Sequence, residues 1–267
     1  MIIFNTDGMV LQRFAFNAPV MDYFFKNLKP EHLIKLYQCC KFFYAKYHLN
    51  IIRHLEVVDD DEAESLDPTK TIIRASNTAL KKLAGFWISD SFTLNATYNV
   101  QITFPTCSRC TIKKLELCDY VKHDEFLMLT KAGTIEELEI KGVFAEDGEK
   151  PFIPIEDIII EVPNAKSITI YESFITPTTF SSLISLKHRA KLSKLVLTNM
   201  TDSHLIELIV DFVLKNAADV CNVLIHFKKV PETGDLSHQI NLHSNMISFI
   251  INYRIFKLLK QKKEETS

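Results

Sequence analysis

A short apolar motif recurs along the second half of the chain and limits the folds that the chain can adopt. Each copy has two large apolar residues separated by one other residue, an alternation typical of a β-strand with one buried face. The first apolar residues of the five copies are Leu115, Leu138, Ile168, Leu195 and Val223. They follow one another at steps of 23, 30, 27 and 28 residues, so the pattern predicts one strand per repeating unit.

The segments between these strands have the spacing of helices. In "DSHLIELIVDFVLKN" the apolar residues recur every three or four positions, and "TTFSSLISLKHR" and "HDEFLMLTKAG" are shorter examples. Gly133 is suited to end the last of these helices. A strand and a returning helix at intervals in the twenties are typical of a leucine-rich-repeat solenoid. An ordinary α/β sheet with helical crossovers gives the same alternation, and the uneven spacing leaves this alternative open.

A solenoid would leave one face of its sheet open. The residues that alternate with each buried pair would lie on this face, which is acidic at one end and apolar to aromatic at the other. Such a mixed surface suits a protein ligand. The predicted target-binding residues are Glu116, Glu139, Lys141, Thr169, Tyr171, Val196, Thr198 and His226, with Cys118 and Leu224 beside them.

The N-terminal stretch "PVMDYFFKNLKPEHLIKLYQCCKFF", residues 19–43, predicts two short amphipathic helices. Asn17 is a good N-cap residue, and Pro19 and Pro30 fall where each helix begins. The two helices carry more large apolar side chains than they can bury between them. Part of this surface must therefore pack on the rest of the chain or on another protein.

The same stretch resembles the F-box. Pro19 and Val20 open the pattern, and an "LKP" turn separates its helices. "CCKFF" stands where the family usually has Val-Cys-Lys and an aromatic residue, while the usual acidic residue is displaced to Asp22. The whole chain is similar to the large nematode family of F-box proteins with divergent leucine-rich repeats.

Proteins of this kind are substrate receptors of SCF-type cullin–RING ubiquitin ligases. The resemblance implies that the F-box binds a Skp-type adaptor and that the repeats bind a target protein, which stays unidentified. The residues expected at or behind the adaptor interface are Pro19, Val20, Phe24, Leu28, Pro30, Leu33, Leu36 and Cys40. The alternative is a repeat-type protein-binding scaffold whose N-terminal helices only cap the repeats and have no connection with a ligase.

The predicted fold is therefore mixed, α+β or α/β, with four regions. A leader covers residues 1–16, and an F-box-like helical domain covers residues 17–58. A leucine-rich-repeat-like α/β domain follows over residues 59–241. Residues 242–267 are predicted to form a C-terminal helix, which caps the open end of the solenoid, and a charged tail.

One cysteine-rich group has the spacing of a metal site. Cys107, Cys110, Cys118 and His123 supply enough ligands for one tetrahedral zinc ion. Cys118 directly follows a predicted strand, however, which fixes its direction and favours reduced cysteines without metal. The sequence has neither a Gly-rich phosphate loop nor a nucleophile elbow, and we expect a non-enzymatic protein without a cofactor.

The net charge and the hydropathy of the chain limit the classes of partner that we expect. The formal net charge of −2 predicts no general attraction to nucleic acid or to a membrane surface. Apolar runs stay shorter than the roughly 18–20 residues of a membrane span, and the N-terminus lacks the pattern of a secretory leader. Because no secretory leader is predicted, the six cysteines are expected to be reduced. This predicts a cytoplasmic or nuclear location.

Overall fold

The computed structural model describes residues 7–8, 17–47, 49–67, 69–96, 109–145, 152–200, 206–228 and 246–252. These residues form a mixed α/β protein with a mostly parallel central sheet. The helices are α1 (Ala18–Asn27), α2 (Pro30–Cys39), α3 (Lys41–Tyr47), a 3₁₀ helix (Thr78–Gly85), α4 (His123–Thr130), α5 (Ile155–Ile160), α6 (Thr179–Ser185) and α7 (Ile206–Asn216). The strands are β1 (Asn50–Val58), β2 (Ser65–Leu66), β3 (Thr71–Arg74), β4 (Phe86–Asn95), β5 (Arg109–Cys110), β6 (Lys114–Leu117), β7 (Val121–Lys122), β8 (Glu137–Ile140), β9 (Val143–Phe144), β10 (Ser167–Ile170), β11 (Leu192–Met200), β12 (Ala217–Lys228) and β13 (Met246–Asn252).

The central sheet keeps the order of the chain. Its middle run is β1, β4, β6, β8, β10, β11 and β12, and each neighbouring pair in this run is parallel. β3 and then β2 extend the β1 side, β13 pairs antiparallel with β12 at the other edge, and β5 pairs with β4. β7 and β9 form a separate two-stranded sheet.

The register of the sheet confirms the predicted strand positions. The five apolar residues that define the repeated motif are direct cross-strand neighbours in one row, and all of them are buried. Leu55 and Phe92 extend this row to β1 and β4. A second buried row follows two residues further along each strand, from Val57 to Ile225. Alternation with a period of two residues therefore assigns one whole face of the sheet to the core.

The helices cover this apolar face. Buried residues of α4, α5, α6 and α7 belong to the same hydrophobic cluster as the two strand rows, which we call the sheet core. α4 is the predicted helix before Gly133, which has φ of +63° and so supplies the left-handed turn that ends the segment. At the start of α4, the Glu125 carboxylate accepts a hydrogen bond from the Lys122 backbone N–H at 3.0 Å.

The N-terminal helices form a smaller cluster of their own. Asn17 caps α1, since its Oδ1 accepts a hydrogen bond from the Val20 backbone N–H at 3.3 Å, and Pro30 is the first residue of α2. Both placements confirm the sequence prediction. The buried residues of this cluster, which we call the helical cluster, are Met21, Phe25, Leu33, Tyr37 and Trp87.

Two predictions about secondary structure are wrong. The predicted helical domain 17–58 is helical only as far as Tyr47, because Asn50–Val58 is a strand rich in β-branched residues that pairs with β4. The predicted C-terminal helix contains a strand at Met246–Asn252, which covers the edge of β12. Three isoleucines in "MISFIIN" and the unpaired backbone groups of a neighbouring edge strand favour this pairing. The rest of 242–267 lies outside the described residues.

Candidate protein-interaction surfaces

Helix α1 has two apolar faces, of which only one is buried by residues that the structure describes. Met21 and Phe25 lie in the helical cluster. On the other side Val20, Tyr23 and Phe24 are 47%, 72% and 50% exposed. We call these three residues, with the exposed Pro19 at the start of the helix, the α1 outer face. An apolar face of this kind is suited to pack against a groove on another protein.

The predicted adaptor-binding residues separate into two groups. Pro19, Val20 and Phe24 lie on the α1 outer face, whereas Leu33 is only 2% exposed and packs inside the helical cluster. Leu33 is therefore a core residue of the helical cluster, and its side chain is not part of an exposed surface. The reason is its position on α2, where it lies one turn before Tyr37 on the face that is buried with Trp87. The half-buried members of the predicted set are Leu28, Pro30, Leu36 and Cys40.

The open face of the sheet brings most of the predicted target-binding residues into register. Glu116, Glu139, Thr169 and Val196 are successive cross-strand neighbours. The row begins at Glu56 and Thr93 and continues to Leu224. Its order confirms the predicted gradient from an acidic end to an apolar end.

Each carboxylate at the acidic end has a partner. Lys70 Nζ lies 2.5 Å from Glu56 Oε2, and Lys114 Nζ lies 2.6 Å from Glu116 Oε1. Thr93 Oγ1 also donates to Glu116 Oε2 at 3.0 Å. Burial raises the pKa of the Glu116 carboxyl, but these two hydrogen bonds outweigh burial and the pKa is lowered overall. The lowered pKa favours the charged form of Glu116.

Tyr171 and Glu139 form a linked pair on the same face. The Tyr171 hydroxyl donates a hydrogen bond to the Glu139 carboxylate, which raises the pKa of Tyr171 to about 12. This bond joins Tyr171 to Glu139, which is the cross-strand neighbour of Thr169. Thr169 itself is only 3% exposed. The prediction that Thr169 is available to a target is therefore wrong, although its position in the row is as expected.

The remaining target-binding residues lie at the ends of the strands. Lys141 Nζ contacts Asp119 Oδ1 at 2.9 Å, and this hydrogen bond raises the pKa of Lys141. The Thr198 hydroxyl donates a hydrogen bond to the backbone carbonyl oxygen of Tyr171. His226 is half-buried in β12, where its register partner is Ser248 of β13. Lys141 and Tyr171 thus extend the row of the open face, while His226 lies near its far edge.

The cysteine-rich group is only partly described. Cys110 is half-buried in β5 and Cys118 is exposed after β6, while Cys107 lies outside the described residues. Partial desolvation of the Cys118 thiol and the neighbouring carboxylates raise its pKa, which opposes the thiolate form that binds zinc. In the described part of the chain, no group of three or more His, Cys, Asp or Glu residues is placed to hold a metal ion.

A cleft that sequence reasoning missed lies between the helices and the sheet. It has a volume of about 590 Å³ and is bounded by the α1–α2 turn on one side and by the turns into β6, β8 and β10 on the other. Trp87 lines it, and the indole Nε1–H donates to Thr111 Oγ1 at 2.6 Å. The single tryptophan was a visible feature of the sequence, but the residues that surround it come from distant segments.

Comparisons with known proteins add no relative. No protein-family model matches the chain, and neither a curated protein nor a solved structure matches it. Among the helices that the structure describes, none is long and apolar enough to cross a membrane.

Proposed function

We propose that this protein is a substrate-recognition adaptor of an SCF-type cullin–RING ubiquitin ligase. The α1 outer face binds a Skp-type adaptor, and the open face of the sheet binds a target protein. The observation that carries the proposal is the exposure of Val20, Tyr23 and Phe24 on a helix whose opposite face is buried in its own chain. Catalysis belongs to other subunits of the ligase, and this chain supplies proximity and orientation.

The α1 outer face supports an adaptor interface on physical grounds. Three apolar side chains within little more than one turn of helix form a compact patch, and such patches are typical of sites where an amphipathic helix packs into a groove. Tyrosine and phenylalanine contribute large contact areas in interfaces. The resemblance of residues 19–43 to the F-box supports the same use of the helix.

The arrangement of the sheet supports repeats as the target-binding region. Seven parallel strands follow one another in chain order, as expected when each strand–helix unit stacks on the previous one. Repeat proteins of this type commonly bind their ligands on the exposed face of the sheet. Here that face carries paired carboxylates at one end and Val196 and Leu224 at the other, a combination suited to a protein surface.

A second function is a protein-binding scaffold without a ligase connection. The burial of Leu33 and its packing near Trp87 favour this alternative. Through these contacts α2 packs on the end of the sheet, as a terminal capping helix of a repeat protein does. The two functions differ in one respect. A scaffold does not need the α1 outer face, whereas a ligase adaptor depends on it.

Binding of a purified Skp-type adaptor distinguishes the two functions. We expect the wild-type chain to bind, and we expect Phe24→Asp to weaken binding at least tenfold, because a carboxylate would be buried in an apolar groove. Val220→Asp is the control, since Val220 is also an exposed apolar residue but lies on β12. Failure of the wild-type chain to bind, or equal binding by a folded Phe24→Asp variant, would favour the scaffold.

A further inference from the structure

The cleft between the helices and the sheet has the size of a ligand site. Its volume of about 590 Å³ is within the range of roughly 300–1,000 Å³ that small-molecule sites occupy. Leu28 and Pro30 of the α1–α2 turn contribute apolar surface on one side. The opposite side is polar and charged, because it consists of the turns that lead into the parallel strands.

The charges that line the cleft favour an anion. Two of its carboxylates are already neutralised, since Asp90 lies 2.6 Å from Arg53 and Glu136 lies 2.6 Å from Lys166. The other charged side chains lining it, none of which has an ion-pair partner among the described residues, are Lys29, Glu31, Arg109 and Lys113. Three of these are cations and one is an anion, so that the surplus charge of the cleft is positive.

Arg109 is held in a position that leaves its hydrogen-bond donors available. Its guanidinium carbon lies 3.9 Å from the centroid of the Trp87 ring. One face of the guanidinium group is therefore stacked on the indole. The N–H groups of a guanidinium point outward in its own plane, and within the described ranges those of Arg109 have no acceptor. A planar fork of this kind matches the geometry of a carboxylate or a phosphate.

Ser89 supplies an independent indication of a ligand. It lines the cleft and is only 2% exposed, and its hydroxyl has no hydrogen-bond partner among the described residues. A buried hydroxyl without a partner is unfavourable, and most such groups in proteins are satisfied. An acceptor oxygen of a bound molecule would satisfy it.

A smaller cavity indicates that the ligand also has an apolar part. Its volume is about 250 Å³, and Arg109 lines it together with one carboxylate, one further cation and four mostly apolar side chains, namely Asp22, Lys26, Phe25, Leu33, Tyr37 and Leu49. Since the same arginine borders both cavities, a molecule whose anionic group is bound by Arg109 can place an apolar group against these side chains. Inorganic phosphate would leave this second cavity unused.

We propose that the cleft binds a compact organic oxyanion, in which a carboxylate or a phosphate is attached to an apolar or aromatic group. Arg109 and Lys113 bind the oxyanion, and the Ser89 hydroxyl donates a hydrogen bond to one of its oxygens. The apolar group packs against the α1–α2 turn or in the smaller cavity. The site is separate from the open face of the sheet and does not depend on the proposed ligase function.

Titration of the single tryptophan tests the proposal. Trp87 is the only tryptophan of the chain, so its fluorescence reports directly on the cleft. We expect saturable changes with phenyl phosphate or benzoate, weaker binding of inorganic phosphate, and none with the neutral analogue benzyl alcohol. Binding should weaken as the salt concentration rises, because part of it is charge attraction at a solvent-accessible site.

Variants with calorimetry as the readout identify the binding groups. Lys113→Met and Arg109→Met should each weaken the preferred oxyanion by about tenfold or more, the typical loss for one charge-assisted hydrogen bond. Lys113 serves as the cleaner test, since removing Arg109 alters the surroundings of the indole itself. Lys81→Met, an exposed cation of the 3₁₀ helix, is the matched control and should bind as the wild type does.

Three results would overturn the proposal. The first is the absence of saturable binding by either organic oxyanion, and the second is equally tight binding of benzyl alcohol. The third is wild-type affinity in both Lys113→Met and Arg109→Met. Equal affinity for inorganic phosphate and phenyl phosphate would overturn the assignment of an organic ligand.

Discussion

The helical segment and the central sheet differ in how completely their apolar side chains are buried. In the sheet, two rows of apolar side chains run across seven neighbouring strands, and the helices α4 to α7 bury them. The helical cluster is much smaller and requires Trp87 from the sheet to complete it. While the sheet buries the apolar face that it has, α1 leaves a second apolar face in contact with solvent.

This difference separates residues that hold the fold from residues available to partners. A fully buried row is explained by stability alone, because burial of apolar surface is the main favourable term in folding. An exposed apolar patch is not explained by stability and is a typical mark of an interaction site. The α1 outer face belongs to the second class, whereas Leu33, only nine residues further along than Phe24, belongs to the first.

The largest expected effect is the loss of a side chain from the sheet core. Leu115 lies in the middle run of the sheet and is fully buried. Leu115→Ala should lower the free energy of unfolding by about 2–5 kcal/mol, since the surrounding strands cannot close the cavity. Chemical denaturation of the wild type and the variant, monitored by circular dichroism, measures the change.

The same substitution in the helical cluster is the matched comparison. Leu33→Ala should cost about 2 kcal/mol, near the lower limit of the range for leucine, because its half-buried neighbours can move toward the cavity. If Leu33→Ala is as costly as Leu115→Ala, the two regions are equally rigid and the contrast between them fails.

The smallest expected effect concerns the open face. Because Tyr171 has a pKa raised to about 12, its contribution to stability is complete below pH 10 and is lost as the pH rises toward 12. Glu139→Gln replaces the charged acceptor of this hydrogen bond by a neutral one, so the pKa of Tyr171 should fall toward its ordinary value of 10.0. The free energy of unfolding at neutral pH should change by no more than about 0.5 kcal/mol, as is usual for surface positions.

Ultraviolet titration of tyrosinate measures this pKa. The chain has eight tyrosines, so the contribution of Tyr171 is obtained as the difference between each protein and its Tyr171→Phe counterpart. An unchanged pKa in Glu139→Gln would mean that the hydrogen bond between these side chains does not persist in solution.

The strand rows could be predicted from the sequence because alternation has a period of two residues. Leu115, Leu138 and Ile168 are separated by unequal loops, yet each begins an apolar pair that can face only one side of a sheet. The C-terminal strand could not be predicted in this way. Its apolar residues are dense enough to fit a helix as well as a strand, and pairing with the edge of β12 decides between them.

The candidate sites were harder to predict than the strands. Along α1 both the Val20–Phe24 stripe and the Met21–Phe25 stripe are apolar, so periodicity alone cannot choose which one is buried. The cleft requires Ser89, Arg109 and Lys113 to meet the α1–α2 turn, which is a consequence of packing between distant segments. No local sequence pattern predicts that side chains from these distant segments line one cleft.

Hydrogen exchange in the presence of a Skp-type adaptor measures whether the α1 outer face is the docking surface. We expect the adaptor to slow exchange of backbone amides in Ala18–Asn27 and to leave β6, β8 and β10 unchanged. We also expect Phe24→Asp to abolish this protection. Unchanged exchange in α1, or protection confined to the strands of the sheet, would contradict docking through α1.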